Sequence, residues 1–383
     1  MLSSWTRIFS AFFLGFALAM VLLPRQAQAD GGAPNLSYVA GARQGIGVVD
    51  ISQQKIVRNF AVAGNPYTLL LSPDGSLLYV TQPAAGQVTA LAARTGQVIC
   101  SAPFPGHPAW LALNIDATVL YVAGMHEQTI IALDARTCAQ LRTFQAPEPV
   151  SWLAATGNNA SNTLQTQLWV AGTTSVSVLD EQGQLLGNVA VAGGARFLCL
   201  PGGLTAYVAT GRGTVIAIDT LTYQVIATLL TGGTFGSLDY NAITQEIYVP
   251  DQQHNLVDVL TPVLAGSAFM PHEPARSLRV SGSPQSIAVT NDGQLGFAAL
   301  SNGQVDMLDL LGHTLIKAIP VGGTPRFIIT GVYPPQNVPV PQPAAPSLPV
   351  PLLILVCSAF IGVLFGVFLL VRSKQRRQAS PTG

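Results

Sequence analysis

The sequence predicts an all-β chain folded as a seven-bladed β-propeller and carrying a single C-terminal transmembrane helix. Three observations predict it. LLYVTQPAAGQVTALAARTGQVI, starting at Leu77, is matched in register by VLYVAGMHEQTIIALDARTCAQL, starting at Val119. An aromatic followed by Val or Ala recurs seven times, at Tyr38, Tyr79, Tyr121, Trp169, Tyr207, Tyr248 and Phe297. An uncharged apolar run, VPLLILVCSAFIGVLFGVFLLV, occupies 350–371. A fixed period of roughly 40 residues marks a repeat architecture, and one four-stranded unit buries both its faces only against neighbours packed radially.

Each repeat shows four runs. The first follows a Gly/Pro turn and is nearly continuously apolar, as in PYTLLLSPDG (66–75), PAWLALNIDA (108–117), PVSWLAATG (149–157) and PRFIITG (325–331). Such short runs suit strands buried on both faces. The second run holds the aromatic residue. The third alternates and usually ends in Asp, as in GVVD, IIALD and VIAID. That Asp suits a tight turn because its carboxylate reaches backbone amides two residues on. The fourth is more polar, as in KIVRNF and AQLRTF.

The count closes on itself. The chain opens with runs two to four (LSYVAG, GIGVVD, KIVRNF) and finishes with an orphan first run, PRFIITG. The last strand is therefore expected to join the N-terminal three in one blade. Without 325–331 the ring would keep an open edge.

The pattern G-x-P, s-P-D-G, LYVt, G-x-V and iD resembles the YVTN-type seven-bladed propeller repeats of bacterial and archaeal secreted and surface-layer proteins. LYVTQ at 78–82 carries the likeness most directly, and the resemblance spans roughly 36–331. Phe297-Ala298 and LVDVLT in the sixth repeat depart from it. The resemblance implies a fold and leaves function open.

The chain ends define the predicted organisation. Residues 1–29 read as a signal peptide, with Arg7 before an apolar run and Ala27-Gln28-Ala29 as the cleavage site. The propeller is assigned to 30–332, and a Pro-rich stalk to 333–349. The span at 350–371 is long enough to cross ~30 Å of hydrocarbon. The tail at 372–383 carries Arg372, Lys374, Arg376 and Arg377, which places it in the cytoplasm and the propeller outside. No Leu-Pro-x-Thr-Gly sorting signal precedes the span. Ser358, Gly362 and Gly366 share one face of the span at a spacing that suits close helix approach and a weak homodimer, and that is also common in single spans by chance.

All 18 acidic residues lie between the ends, but six of the 18 basic ones sit in them, leaving 12 against 18, or −6, outside. That balance argues against nucleic acid, which needs a basic face. Cys100, Cys138 and Cys199 are sparse for a disulfide scaffold. Cys100 and Cys138 fall on outer strands of neighbouring blades at different depths and are expected not to bond.

In a propeller the loops joining run four to run one, and run two to run three, share one face. The residues just after the Gly/Pro turns rim the channel there: Tyr67, Trp110, Arg196, Phe235, Gln285 and Arg326. Arg196 and Arg326 are candidates to converge on an anion, since guanidinium offers a planar fork of donors. His107, His126, His254, Arg43 and Arg212 belong to loops of the same face. The histidines come from different blades without carboxylate pairing, so no metal site is expected. On the other face two turns are lengthened, at 157–167 and 261–277. Val263, Leu264, Phe269 and Met270 in the second are a candidate apolar contact for a partner. The stalk leaves from that face, which would turn the insertions toward the membrane and the rim outward.

The sequence holds no paired carboxylates, Ser-His-Asp ordering, Gly-x-Ser-x-Gly elbow, phosphate loop or haem-attachment motif. No catalytic residue and no cofactor is assigned. The expected role is non-catalytic recognition or scaffolding at a cell surface, with an unknown protein, a wall polymer or a small anionic ligand as partner. Two alternatives remain: a propeller enzyme of lactonase or quinoprotein type with its site at the channel rim, and an accessory docking subunit of a membrane redox complex.

Overall fold

The computed structural model describes residues 35–158, 165–201, 204–264, 266 and 271–331. The described chain forms seven four-stranded antiparallel sheets. In the first, Leu36–Ala42, Gly45–Asp50 and Lys55–Phe60 are joined by the distant strand Phe327–Thr330. The register is Ser37 to Thr330, Tyr38 to Ile329, Val39 to Ile328 and Ala40 to Phe327. The predicted closure is therefore observed. The other six blades follow chain order from innermost strands Leu69–Leu71, Pro108–Leu113, Trp152–Asn158, Ala195–Cys199, Asp239–Tyr240 and Pro284–Val289.

The core lies between blades rather than inside them. There are seven apolar clusters, and each draws on two adjacent blades. Val39 and Ile328 of the first blade, for example, pack with Phe297 and Met307 of the seventh. Side chains of one blade fill the face of the next, so seven seams close a ring that no single sheet could stabilise.

The repeated tyrosine has a structural task. Tyr38 Oη donates to Ala93 O at 2.8 Å, and Tyr79 Oη to Ala135 O at 2.9 Å. Tyr207 Oη accepts from Val263 N at 2.9 Å. Each bond ties a second strand to the chain leaving the third strand of the next blade. Burial pushes the Tyr79 hydroxyl up to about 12, so it remains a donor throughout the physiological range.

The Asp residues ending third strands build the turns expected of them. Asp134 Oδ1 accepts from Arg136 N and Thr137 N, at 3.0 and 2.8 Å. Asp219 and Asp309 repeat the arrangement with Leu221 and Thr222, and with Leu311 and Gly312.

Cys100 and Cys138 are joined in a disulfide, with Cα atoms 5.7 Å apart, against the sequence expectation. Cys138 does not lie on an outer strand. It occupies the left-handed position of the turn after Asp134, at φ +57°. Equivalent positions in other blades press on the outer strand of the preceding blade: a Cβ at Gly96 would strike the Phe60 ring, and one at Gly183 the Phe144 ring. The turn thus delivers Cys138 onto Val98–Pro103, where Cys100 sits. Cys199 is a buried free thiol.

The 261–277 insertion departs from expectation in part. Val263 is not exposed but buried against the fifth blade, where Thr205 Oγ1 donates to its carbonyl at 2.6 Å. Leu264 is exposed. Phe269, Met270 and most of the 157–167 turn lie outside the described residues, as do the segments expected to be signal peptide, stalk, span (with Ser358, Gly362 and Gly366) and tail. Among the described residues no helix is long and apolar enough to cross a membrane.

Candidate functional site

The channel is closed at the first face by aromatic side chains from five blades. Tyr67 meets Trp110 edge-on at 5.4 Å between ring centroids, and Trp110 meets Trp152 at 5.0 Å. Trp152 also touches Phe197 at 5.4 Å and Phe327 at 5.7 Å, so it bridges across the ring. Trp110 Nε1 donates to Val150 O at 3.3 Å, which fixes its orientation.

Above this floor opens a cavity of about 320 Å³. Tyr67, Trp110, Arg196, Gln285 and Arg326 all line it, as do Trp152, Phe197 and Phe327. Arg196 lies 5.5 Å from the centre of the Phe197 ring, and Arg326 lies 5.8 Å from that of Tyr67. Stacking on a ring leaves the edge of a guanidinium free to donate. Burial raises the Tyr67 hydroxyl, and the positive charges of Arg326 and Arg196 pull it back. Thr68 also lines the cavity, and its buried Oγ1 has no hydrogen-bond partner.

Acidic groups on this face are already engaged. Glu148 accepts from Thr173 Oγ1, Thr174 N, Thr174 Oγ1 and Ser175 Oγ, at 2.6–3.0 Å. Desolvation works against its ionisation, but those donors bring the carboxyl down to about 2. Glu127 accepts from His107 N at 3.0 Å and lies 3.6 Å from the His107 ring. Asp251, nearly buried, accepts from Gln253 N and His254 N and holds His254 Nδ1 at 2.6 Å. That hydrogen bond, with the carboxylate charge, raises the His254 pKa. None of these carboxylates lines the cavity, and Arg196 and Arg326 make no ion pair among the described residues.

The remaining residues of the face are dispersed. His126 and Arg212 are exposed on separate loops, and Arg212 packs over Gly193. Glu127 turns to His107, not to its neighbour His126. No group of three potential metal ligands converges among the described residues. Phe235 leaves the predicted rim. It is buried between the fifth and sixth blades, because the sixth blade's inner strand is cut to Asp239–Tyr240 and the chain before it pairs sideways, Ser237 with Ser286.

Sequence reasoning missed Trp152, Phe197, Phe327 and Thr68. The repeated Arg-Phe of ARFL and PRFI was the available signal, since it places an aromatic one residue beyond each rim arginine.

Fold and site together define a seven-bladed β-propeller with two arginines above an aromatic-floored channel. No family model matches the chain, and no curated protein does. Among solved structures it is similar to hydrazine synthase of Kuenenia stuttgartiensis, at 17% identity and TM-score 0.59, covering 70% of this chain and 90% of that one. It is also similar to the dihydro-heme d1 dehydrogenase NirN in complex with DHE, at 15% identity and TM-score 0.55, covering 81% and 78%. A third likeness is to the β-propeller domain of Cps50 (Swd1) from Myceliophteria thermophila, at 14% identity and TM-score 0.57, covering 68% and 87%. At these identities the likeness shows the propeller fold alone. The neighbours include enzymes.

Proposed function

We propose that this chain is a non-catalytic recognition module of YVTN type, held outside the cell by its C-terminal span, which binds an anionic ligand at the channel rim. The observation that carries the reading is the pair Arg196 and Arg326, stacked on Phe197 and Tyr67 with no carboxylate lining their cavity. A carboxylate accepted by the two guanidiniums would rest its apolar part on the aromatic floor. The cavity volume lies at the small end of ligand sites, which run to roughly 300–1,000 Å³. The Cys100–Cys138 bond supports an oxidising location.

The test is ligand-observed NMR with matched acids and neutral amides, on the wild type and on Arg196→Ala/Arg326→Ala. Selective binding of the acids by the wild type alone supports the reading. Equal binding of the amides removes its basis.

A second reading, an enzyme, is favoured by one observation. His254 Nδ1 is held by the nearly buried Asp251, and Gln252 between them lines the rim cavity. Such a pair orients an imidazole for proton transfer. Turnover of a bound ligand that His254→Gln abolishes, with binding intact, would favour that reading.

A further inference from the structure

A second space borders the rim cavity. It is a groove of about 860 Å³ on the first face, over the first and second blades. Tyr67, Thr324 and Arg326 line both spaces, so the two adjoin. The groove runs past Arg43 to His107 and Met125. Half of its lining residues are Gly, Ala or Pro, with Val62 and Met125 as larger apolar contacts. The short side chains among them leave backbone groups within reach, which suits an extended chain.

Charge is distributed along this path in one sense only. Between its predicted ends the chain has 12 basic and 18 acidic residues. Yet Arg196, Arg326 and Arg43 all line the adjoining spaces, and no Asp or Glu does. Arg43 is exposed and its guanidinium makes no hydrogen bond or ion pair among the described residues.

We infer that the rim and groove together bind the carboxyl-terminal segment of an acidic peptide. The inference rests on the rim reading above and specifies its ligand class. A peptide terminus joins the two features that the rim asks for: a carboxylate, and an apolar side chain on the adjacent carbon. Arg196 and Arg326 take the terminal carboxylate, and the last side chain lies on Trp152 and Phe327. The preceding residues run outward through the groove, where Arg43 meets a side-chain carboxylate. An acidic polysaccharide would satisfy the arginines and could lay a sugar ring on the aromatic floor, but it carries no apolar side chain beside its carboxylate, and the test below includes it as the competing ligand.

The test uses the full chain, purified and immobilised, and four probes: a pool of randomised hexapeptides with free carboxyl termini, the same pool amidated, N-acetyl-phenylalanine, and oligogalacturonate. The retained free-acid peptides are expected to end in a large apolar residue, to carry Asp or Glu upstream, and to bind at least ~10-fold more tightly than N-acetyl-phenylalanine, a gain of about 1.4 kcal/mol. Arg43→Ala should lower peptide affinity about fivefold, the scale of one partly exposed ion pair, and leave N-acetyl-phenylalanine unchanged. Arg196→Ala/Arg326→Ala should abolish binding of both.

If N-acetyl-phenylalanine binds through the two rim arginines but peptides gain nothing over it, the groove inference is overturned and the rim reading stands. Oligogalacturonate binding through Arg43 without peptide binding overturns it too. Equal retention of the amidated pool, or binding of no probe, overturns both.

Discussion

Replacing Cys100 and Cys138 by Ser tests how the blades are fastened. The two cysteines are 38 residues apart in sequence. Opening a loop of that length returns ~4 kcal/mol of chain entropy to the unfolded state at 25 °C, as an upper bound. At ~2 °C per kcal/mol for a domain of this size, the melting temperature should fall by up to about 8 °C. Thermal unfolding with and without a reductant is the assay. Reductant should lower the wild type by the same amount and leave the double Ser variant where it is. Cys138 sits at φ +57°, where the second blade has Gly96 at φ +74°. Pairing Cys100→Ser with Cys138→Gly should therefore recover ~1 kcal/mol over the double Ser form by removing left-handed strain. A wild-type melt indifferent to reductant, or a variant shifted as much as the wild type, would refute the fastening of the turn onto the preceding blade.

Other perturbations probe the ring itself. Tyr79→Phe leaves the Ala135 carbonyl without its partner across the seam and should cost ~1 kcal/mol by urea titration, whereas Phe297, already lacking a hydroxyl, sets the reference for a seam without the strut. Asp239 is half-buried, and the desolvation it suffers there raises its carboxyl to about 6 from an ordinary 3.8. Its folded form holds the proton more tightly than the unfolded form. Its contribution to stability is therefore complete below pH ~4 and is lost as pH rises through about 6, a change on the order of 3 kcal/mol. Asp239→Asn should thus gain stability relative to wild type between pH 4 and pH 8; a difference that is flat across that window contradicts a desolvated, proton-holding carboxyl. Removal of 325–331 leaves Leu36–Ala42 as an open edge, and sedimentation should then show aggregation where the full ring is monodisperse.

The ring was readable because it repeats. Seven aromatic pairs and the orphan PRFIITG specify seven blades and their closure before any contact is known. The rim residues Tyr67, Trp110, Arg196, Gln285 and Arg326 were readable by position, since each follows a Gly/Pro turn into an inner strand. What was not readable depends on side-chain direction. Trp152 sits in a run that looks apolar throughout, and the Arg-Phe pairs mark where Phe197 and Phe327 fall without saying where their rings point; only the fold shows all three turned to the channel. Phe235 carried the positional signal but not the geometry, because the inner strand of its blade is cut to Asp239–Tyr240. The disulfide was missed because one cysteine lies in a left-handed turn and spacing alone does not say which blade the turn leans on.

The most direct test of recognition at the rim uses the floor as its own reporter. Trp110 and Trp152 lie beneath Arg196 and Arg326, and both line the rim cavity. N-acetyl-leucine has no fluorescence of its own. Titrated into the protein it should shift tryptophan emission saturably, N-acetyl-leucinamide should not, and Arg196→Ala/Arg326→Ala should remove the response. A shift produced equally by the neutral amide, or no saturable shift at all, would contradict an anion-binding rim.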